Sequence, residues 1–353
     1  MKQIRSEAKK ILNNGAVIPA IPLALDENRM FDEKRQRTLV RYYLNAGAGG
    51  IAVAVHTTQF AIRLPEVNLF HTVVKTVLDE IDHFEKKNNK VIVKLVGVCG
   101  KVEQAVSEAR FAAEVNADIV LLSPGGIDDL TEDEIIERTK IVSKMMPVFG
   151  FYLQPLAGGR IFSAGYWKRL ADIEGVEAIK CAPFNRYQTI ELVRGVALSE
   201  RRDEITLYTG NDDNILIDLL TKYEVNVNGR TIEKRFAGGL LGHWAVWTKS
   251  VVDLFEKIRA YRDGRDIPAE LLALAVKITD ANSAFFDAAN GYAGSIAGVH
   301  EVLRRQGIFK GIWCINPNET LSPGQSEEID RVYADYPELN DDEFVKTYLS
   351  EWL

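Results

Sequence analysis

Residues 90–126, KVIVKLVGVCGKVEQAVSEARFAAEVNADIVLLSPGG, decide how this chain folds. The run 91–96 is short, apolar and rich in β-branched residues, 102–115 repeats apolar residues at helical spacing, and 118–122 is a second apolar run. Ser123-Pro124-Gly125-Gly126 then closes the unit with turn-forming residues. Continuously apolar strands are buried on both faces, as in a parallel sheet covered by helices. A parallel pair needs a crossover, and the helical stretch between the two runs supplies one.

Working outward, the same unit recurs. Strand-like runs lie at 17–25, 50–55, 148–152, 176–180, 206–209 and 236–241, with helical patterns at 31–45, 69–84, 132–145, 164–172, 189–198 and 214–222. Eight strands alternating with helices predict a (β/α)8 TIM barrel. A doubly wound sheet is the alternative that periodicity leaves open, but no GxGxxG loop follows the first strand and the strand count reaches eight. Beyond a helical stretch at 246–261, residues 268–305 read as helical, with one strongly apolar face over 267–286, before a tail carrying Asn316-Pro317-Asn318 and Ser322-Pro323-Gly324. We expect residues 1–262 to form the barrel and 263–353 a C-terminal helical extension packed on it. The long connection 223–235 contains Asn228-Gly229, which predicts a small hairpin serving as a lid, an intersubunit contact or an inert insertion.

Composition narrows the function. The 353 residues are 46% hydrophobic and 26% charged, with a formal net charge of −7, enough for a large core. Acids and bases are interspersed without a basic stripe, which argues against nucleic acid as a partner. No run approaches the roughly 20 apolar residues of a membrane helix, and the charged MKQIRSEAKKILNNG start is not a secretory signal. Cys99, Cys181 and Cys314 form no CxxC pair, so we expect buried or half-buried thiols, no disulfide framework, and a cytoplasmic location. Asp212 and Asp213 lack the His or carboxylate company of a metal site and read better as a helix N-cap. No metal and no cofactor is expected.

Barrel active sites lie at the C-terminal ends of the strands. Strand five ends Phe149-Gly150-Phe151-Tyr152 and strand six ends Ala178-Ile179-Lys180-Cys181. Tyr152 and Lys180 stand one βα unit apart, at equivalent heights on strands about 5 Å apart, so phenol and amine can meet if both point inward. Desolvation would lower the pKa of Lys180 and leave a neutral amine able to attack a ketone, with the imine acting as an electron sink. Tyr152 would relay the protons. The plainer alternative is a strand-end lysine that snorkels to solvent or pairs with a carboxylate.

On these residues the chain resembles the dihydrodipicolinate synthase/N-acetylneuraminate lyase superfamily, which forms Schiff bases with pyruvate. The Tyr-x-x-Pro element of that family is matched by Tyr152-Leu153-Gln154-Pro155. Its Gly-(hydrophobic)-Lys is matched by the segment from Gly175 to Lys180, its two-threonine turn by His56-Thr57-Thr58-Gln59-Phe60, and its Gly-x-Asp turn by Gly210-Asn211-Asp212. The similarity runs from about Val17 to Gly307. It implies Lys180 as the Schiff-base lysine, Tyr152 as the proton relay, and Thr57 and Thr58 as the pair that binds the pyruvate carboxylate and orients the tyrosine; Gly210 falls at the substrate. Hydroxyls and N–H groups of a tight turn suit a carboxylate, although the same threonines can merely close a βα turn.

The departures concern the second substrate. Where the synthases place an arginine two residues past the proline this chain has Ala157, with Arg160 on the neighbouring Gly158-Gly159 loop as the substitute guanidinium. Their aromatic pair after strand four is here Gly125-Gly126. His243, after Gly242, is a candidate donor or acid/base at the pocket, or a hydrogen-bonded structural histidine. The expected reaction is reversible carbon–carbon or carbon–oxygen cleavage of pyruvate-derived or 2-keto-3-deoxy acids, as an aldolase or dehydratase, with synthase-type condensation as the alternative. A non-catalytic pyruvate-binding barrel is the rival outside enzymology, and a metal-dependent aldolase the third reading. The resemblance and the apolar face of 267–286 imply a homo-oligomer, dimer or tetramer.

Overall fold

A computed structural model describes residues 2–262, 264 and 266–353. Its strands are β1 (Val17–Pro19), β2 (Gly50–Val53), β3 (Val93–Val98), β4 (Ile119–Leu122), β5 (Val148–Leu153), β6 (Val176–Ala182), β7 (Thr206–Thr209), β8 (Tyr223–Val227), β9 (Arg230–Lys234) and β10 (Phe236–Leu241). Hydrogen bonding orders eight of them as β1-β10-β7-β6-β5-β4-β3-β2, and a parallel bridge between Ala20 and Ala52 links β1 to β2. This is the (β/α)8 barrel, with helices between the strands and further helices after β10. Residue 263, where the sequence reading begins the extension, lies outside the described residues. β1 is shorter than the run 17–25 because Pro19 and Pro22 have no N–H to give to a ladder.

The chain packs as two compact units, Met1–Ala16 with Val93–Leu240, and Val17–Ile92 with Leu241–Leu353. In the first, β3, β4 and β5 are buried along their whole lengths. Helices cover their outer face at close range: a Cβ on Gly150 would stand 2.9 Å from Leu170 Cδ2 of the helix Ala164–Ala171. The helix Glu132–Ser143 begins in a capping box, Glu134 N–H donating to Thr131 Oγ1 (3.3 Å) and Thr131 N–H to Glu134 Oε2 (2.7 Å). The N-terminal helix Ser6–Asn14 ends against β7, with the Tyr208 hydroxyl donating to Leu12 O at 2.9 Å. β8 and β9 form the expected hairpin. Asn228 and Gly229 both take left-handed φ, 53° and 80°, which suits the primed turn of a two-residue loop.

In the second unit the C-terminal helices are tied to the first long helix, Glu33–Ala46. Buried Asp341 accepts from Tyr42 OH (2.6 Å), Lys249 N–H (2.8 Å) and Gln306 Nε2 (2.7 Å), and Trp352 O accepts from Arg41 Nη1 (2.7 Å). Among the described residues no helix is long and apolar enough to cross a membrane. Cys99, Cys181 and Cys314 are buried, and none forms a disulfide among the described residues.

Candidate active site

Strand register fixes which side chains share a face. Val148 on β5 pairs with Val176 on β6, but Phe149 pairs with Ala178, so β6 carries one extra residue, Glu177, at a bulge. Glu177 reaches Lys9 at 2.9 Å. Beyond the bulge Lys180 lies opposite Phe151 on β5 and Tyr208 on β7, while Tyr152 lies opposite Cys181. Successive residues of a strand point to opposite faces, so Lys180 and Tyr152 point apart.

The Lys180 face is the inner one. Its amine stands 4.4 Å from the centroid of the Phe151 ring, a cation–π distance. Gly210, just past β7, leaves room for the side chain: a Cβ there would be 2.3 Å from Lys180 Cε. Lys180 is 8% exposed. Burial lowers its pKa from the ordinary 10.5 to about 8, with Asp212 opposing the shift. Asp212 is itself buried, in the turn after β7. It is not the N-cap of the next helix as its sequence position suggests; that place belongs to Asn214.

Tyr152 occupies the helix-covered face, the correction that matters most here. Its ring lies 4.8 Å from that of Trp167 and 5.9 Å from that of Phe162. Burial pushes its pKa up to about 12, and the groups that act on it are the Phe162 backbone, Cys181 and Glu191. The hydroxyl is buried, and the Phe162 backbone is the polar group that faces it. Tyr152→Phe is therefore expected to change the rate of any reaction at Lys180 by less than about threefold, whereas a proton relay would lose roughly a hundredfold. Rapid-quench trapping of pyruvate on the variant checks this.

Behind the strands the same outer face holds a polar cluster. Fully buried Asp218 accepts from Thr209 Oγ1 (2.7 Å), Asn211 Nδ2 (2.8 Å), Asn214 Nδ2 (3.0 Å), Tyr223 OH (3.2 Å) and Arg186. Asn211 also accepts from Phe184 N–H at 3.1 Å, so the turn beyond β7 is pinned to the segment that leaves β6. Arg160, expected at the substrate, donates to Leu130 O, and its guanidinium lies over the Phe162 ring. It belongs with the aromatic group around Tyr152.

The remaining predicted residues belong to the second unit. Thr57 Oγ1 donates to Ala20 O (2.8 Å) and Thr58 Oγ1 to Ile21 O (2.7 Å). A hydroxyl has one proton to donate, so neither side chain offers one to a carboxylate without breaking these bonds. His243 Nδ1 accepts from Asn282 Nδ2 at 3.3 Å, its ring stacks on Phe285, and burial lowers its pKa to about 4, which keeps it neutral. Gln59, quoted in the two-threonine turn without a role of its own, is buried there. Its carbonyl accepts from Ile315 N–H at 2.7 Å, its amide nitrogen has no partner among the described residues, and its φ is +65°.

No family model matches the chain. A curated relative, 4-hydroxy-tetrahydrodipicolinate synthase from Clostridium novyi (strain NT), is 28% identical over 185 residues, 52% of this chain and 58% of that protein. The match thus spans little more than half the length of that relative. A solved dihydrodipicolinate synthase from Acinetobacter baumannii, complexed with pyruvate, superposes with a TM-score of 0.72 at 18% identity, covering 92% of this chain and 99% of that one. N-acetylneuraminate lyase from Fusobacterium nucleatum gives 0.69 at 15% identity, over 91% and 98%. These likenesses show that the chain has the barrel fold of dihydrodipicolinate synthases and N-acetylneuraminate lyases. In the Tyr-x-x-Pro element on which the sequence resemblance rests, the Tyr152 side chain faces the helix layer.

Proposed function

We propose that this chain is a Schiff-base lyase or aldolase in which Lys180 captures pyruvate or a 2-keto-3-deoxy acid. The observation that carries the reading is a lysine held inside the barrel on the face of Phe151, with its pKa lowered by burial to about 8. At neutral pH such a lysine has roughly 300-fold more free amine than one at its ordinary pKa. The amine adds to the 2-oxo carbon, water leaves, and the iminium accepts the electron pair of the bond broken at the neighbouring carbon. The pyruvate complex of the Acinetobacter synthase supports the choice of ligand. With Ala157 where the synthases carry arginine and Arg160 bonded elsewhere, we favour cleavage or dehydration of a keto-acid over synthase-type condensation. No metal or cofactor takes part in this reading, and the place of work is the cytoplasm.

Pyruvate with borohydride tests it: the chain should gain a stable N-carboxyethyl group mapping to Lys180. The placement of Tyr152 favours one second reading, a barrel that binds a 2-oxo acid without turning it over. Binding of pyruvate with no adduct would establish that reading instead. We also propose a homo-oligomer, supported by Leu272 and Val276, 56% and 69% exposed on the helix Glu270–Phe285. Light scattering after size exclusion should give a dimer or tetramer, and a monomer at micromolar concentration would remove this part.

A further inference from the structure

We propose that Asp212 is the acid–base group of the Lys180 site, in the place that sequence reading assigned to Tyr152. The inference rests on the Schiff-base reading and deepens it.

Imine formation needs a proton carrier. In net terms Lys-NH3⁺ and the ketone become the protonated imine and water. On the way the ammonium gives up a proton, the C–N bond forms as the carbonyl π bond breaks, that proton passes to the new alkoxide, and the carbinolamine nitrogen gives up a second proton, which the hydroxyl takes as the C–O bond breaks and water leaves. A single carboxylate beside the nitrogen can accept the first proton and hand protons on to oxygen, and it ends unchanged.

The surroundings of Lys180 within its own unit leave few groups for this work. Phe151 on β5 has no titratable proton. Tyr208 on β7 shares the register position of Lys180 but donates its hydroxyl proton to Leu12 O. Tyr152 and Cys181 point to the opposite face. Asp213 is acted on by Arg186 and Asp218. Asp212 is the charged group that acts on Lys180.

The turn that carries Asp212 is shaped around the lysine. Gly210 lies against Lys180 Cε, where any side chain would collide, and donates its N–H to Cys181 O, the residue next to the lysine, at 2.7 Å. Asp212 N–H folds back onto Gly210 O at 3.1 Å, and Asn211 between them is tied to Asp218, Thr189 and Phe184 N–H. Asp212 is 4% exposed. A buried carboxylate on a pinned turn whose glycine packs against the Lys180 side chain is preorganised for proton transfer rather than for solvation.

The test is the rate of pyruvate trapping by borohydride on the full-length chain, followed from below to above pH 8, for wild type, Asp212→Asn and Asp212→Glu. Asparagine keeps the shape of the residue, and thermal melts establish that the variants fold. If Asp212 carries protons, the asparagine variant should lose about a hundredfold in the high-pH plateau, where the amine is already free, and glutamate should restore part of it. If Asp212 only tunes charge, removing it lowers the pKa of Lys180 further, so the profile moves to lower pH with its plateau intact. That outcome overturns the proposal and leaves the Schiff base standing. Wild-type protein that gains no adduct overturns both.

Discussion

Lys180→Met should gain no adduct from pyruvate and borohydride, should lose at least about a thousandfold of any lyase activity, and should melt at a higher temperature than wild type. The first two effects follow from the loss of the nucleophile. The third follows from linkage. The folded-state pKa of Lys180 is about 8, below the ordinary 10.5, so folding must either desolvate an ammonium or release its proton. A shift of that size corresponds to roughly 3 kcal/mol against the folded state. The sign is fixed by proton counting. Below pH 8 both states hold the proton and the cost is present in full. Between pH 8 and 10.5 the unfolded chain binds more protons, so stability contributed by this residue rises with pH, and above 10.5 the cost has vanished. Methionine fills similar volume without a charge. The gain over wild type should therefore be largest near neutral pH and shrink in alkaline buffer, which urea titrations at several pH values can measure. An adduct that still forms on Lys180→Met would move the reaction to another amine.

Asp218→Ala should cost about 3–5 kcal/mol, visible as a lower urea midpoint with little change in slope. The carboxylate is fully buried and collects donors from Thr209, Asn211, Asn214, Tyr223 and Arg186. Removing one member of a buried charged network leaves the others desolvated without partners. A second effect should accompany the first. Asn211 loses its strongest anchor, the Gly210–Asp212 turn loosens, and pyruvate trapping at Lys180 slows even at temperatures where the variant is folded. Asp218→Asn keeps the shape but offers an NH2 group to neighbours that already donate, so it should fall between alanine and wild type. A variant as stable as wild type would show that the cluster is solvated from outside.

The eight strands and their order were readable because each apolar run is bounded by turn residues and followed by a helical repeat. The hairpin at Asn228-Gly229 was readable for the same local reason, since few residue pairs take two left-handed conformations in a row. Lys180 could be placed at the end of strand six because height along a strand is counted in residues. His243, Thr57 and Thr58 lie in turns that follow strands, and their hydrogen bonds to Asn282, Ala20 and Ile21 come from segments whose approach no local pattern announces. Arg160 was misplaced because Leu130 O and the Phe162 ring hold it, and neither could be foreseen from the loop itself.

Sequence alone determined the alternation of strand and helix, the barrel that alternation builds, and the lysine at the end of its sixth strand. Only the tertiary structure decided which neighbours that lysine has. A straight ladder starting from Val148 and Val176 would set Tyr152 opposite Lys180, but the extra residue at Glu177 shifts the register by one. In a structure whose side chains alternate with a period of two, one residue is enough to send the phenol to the helices and leave Phe151 beside the amine.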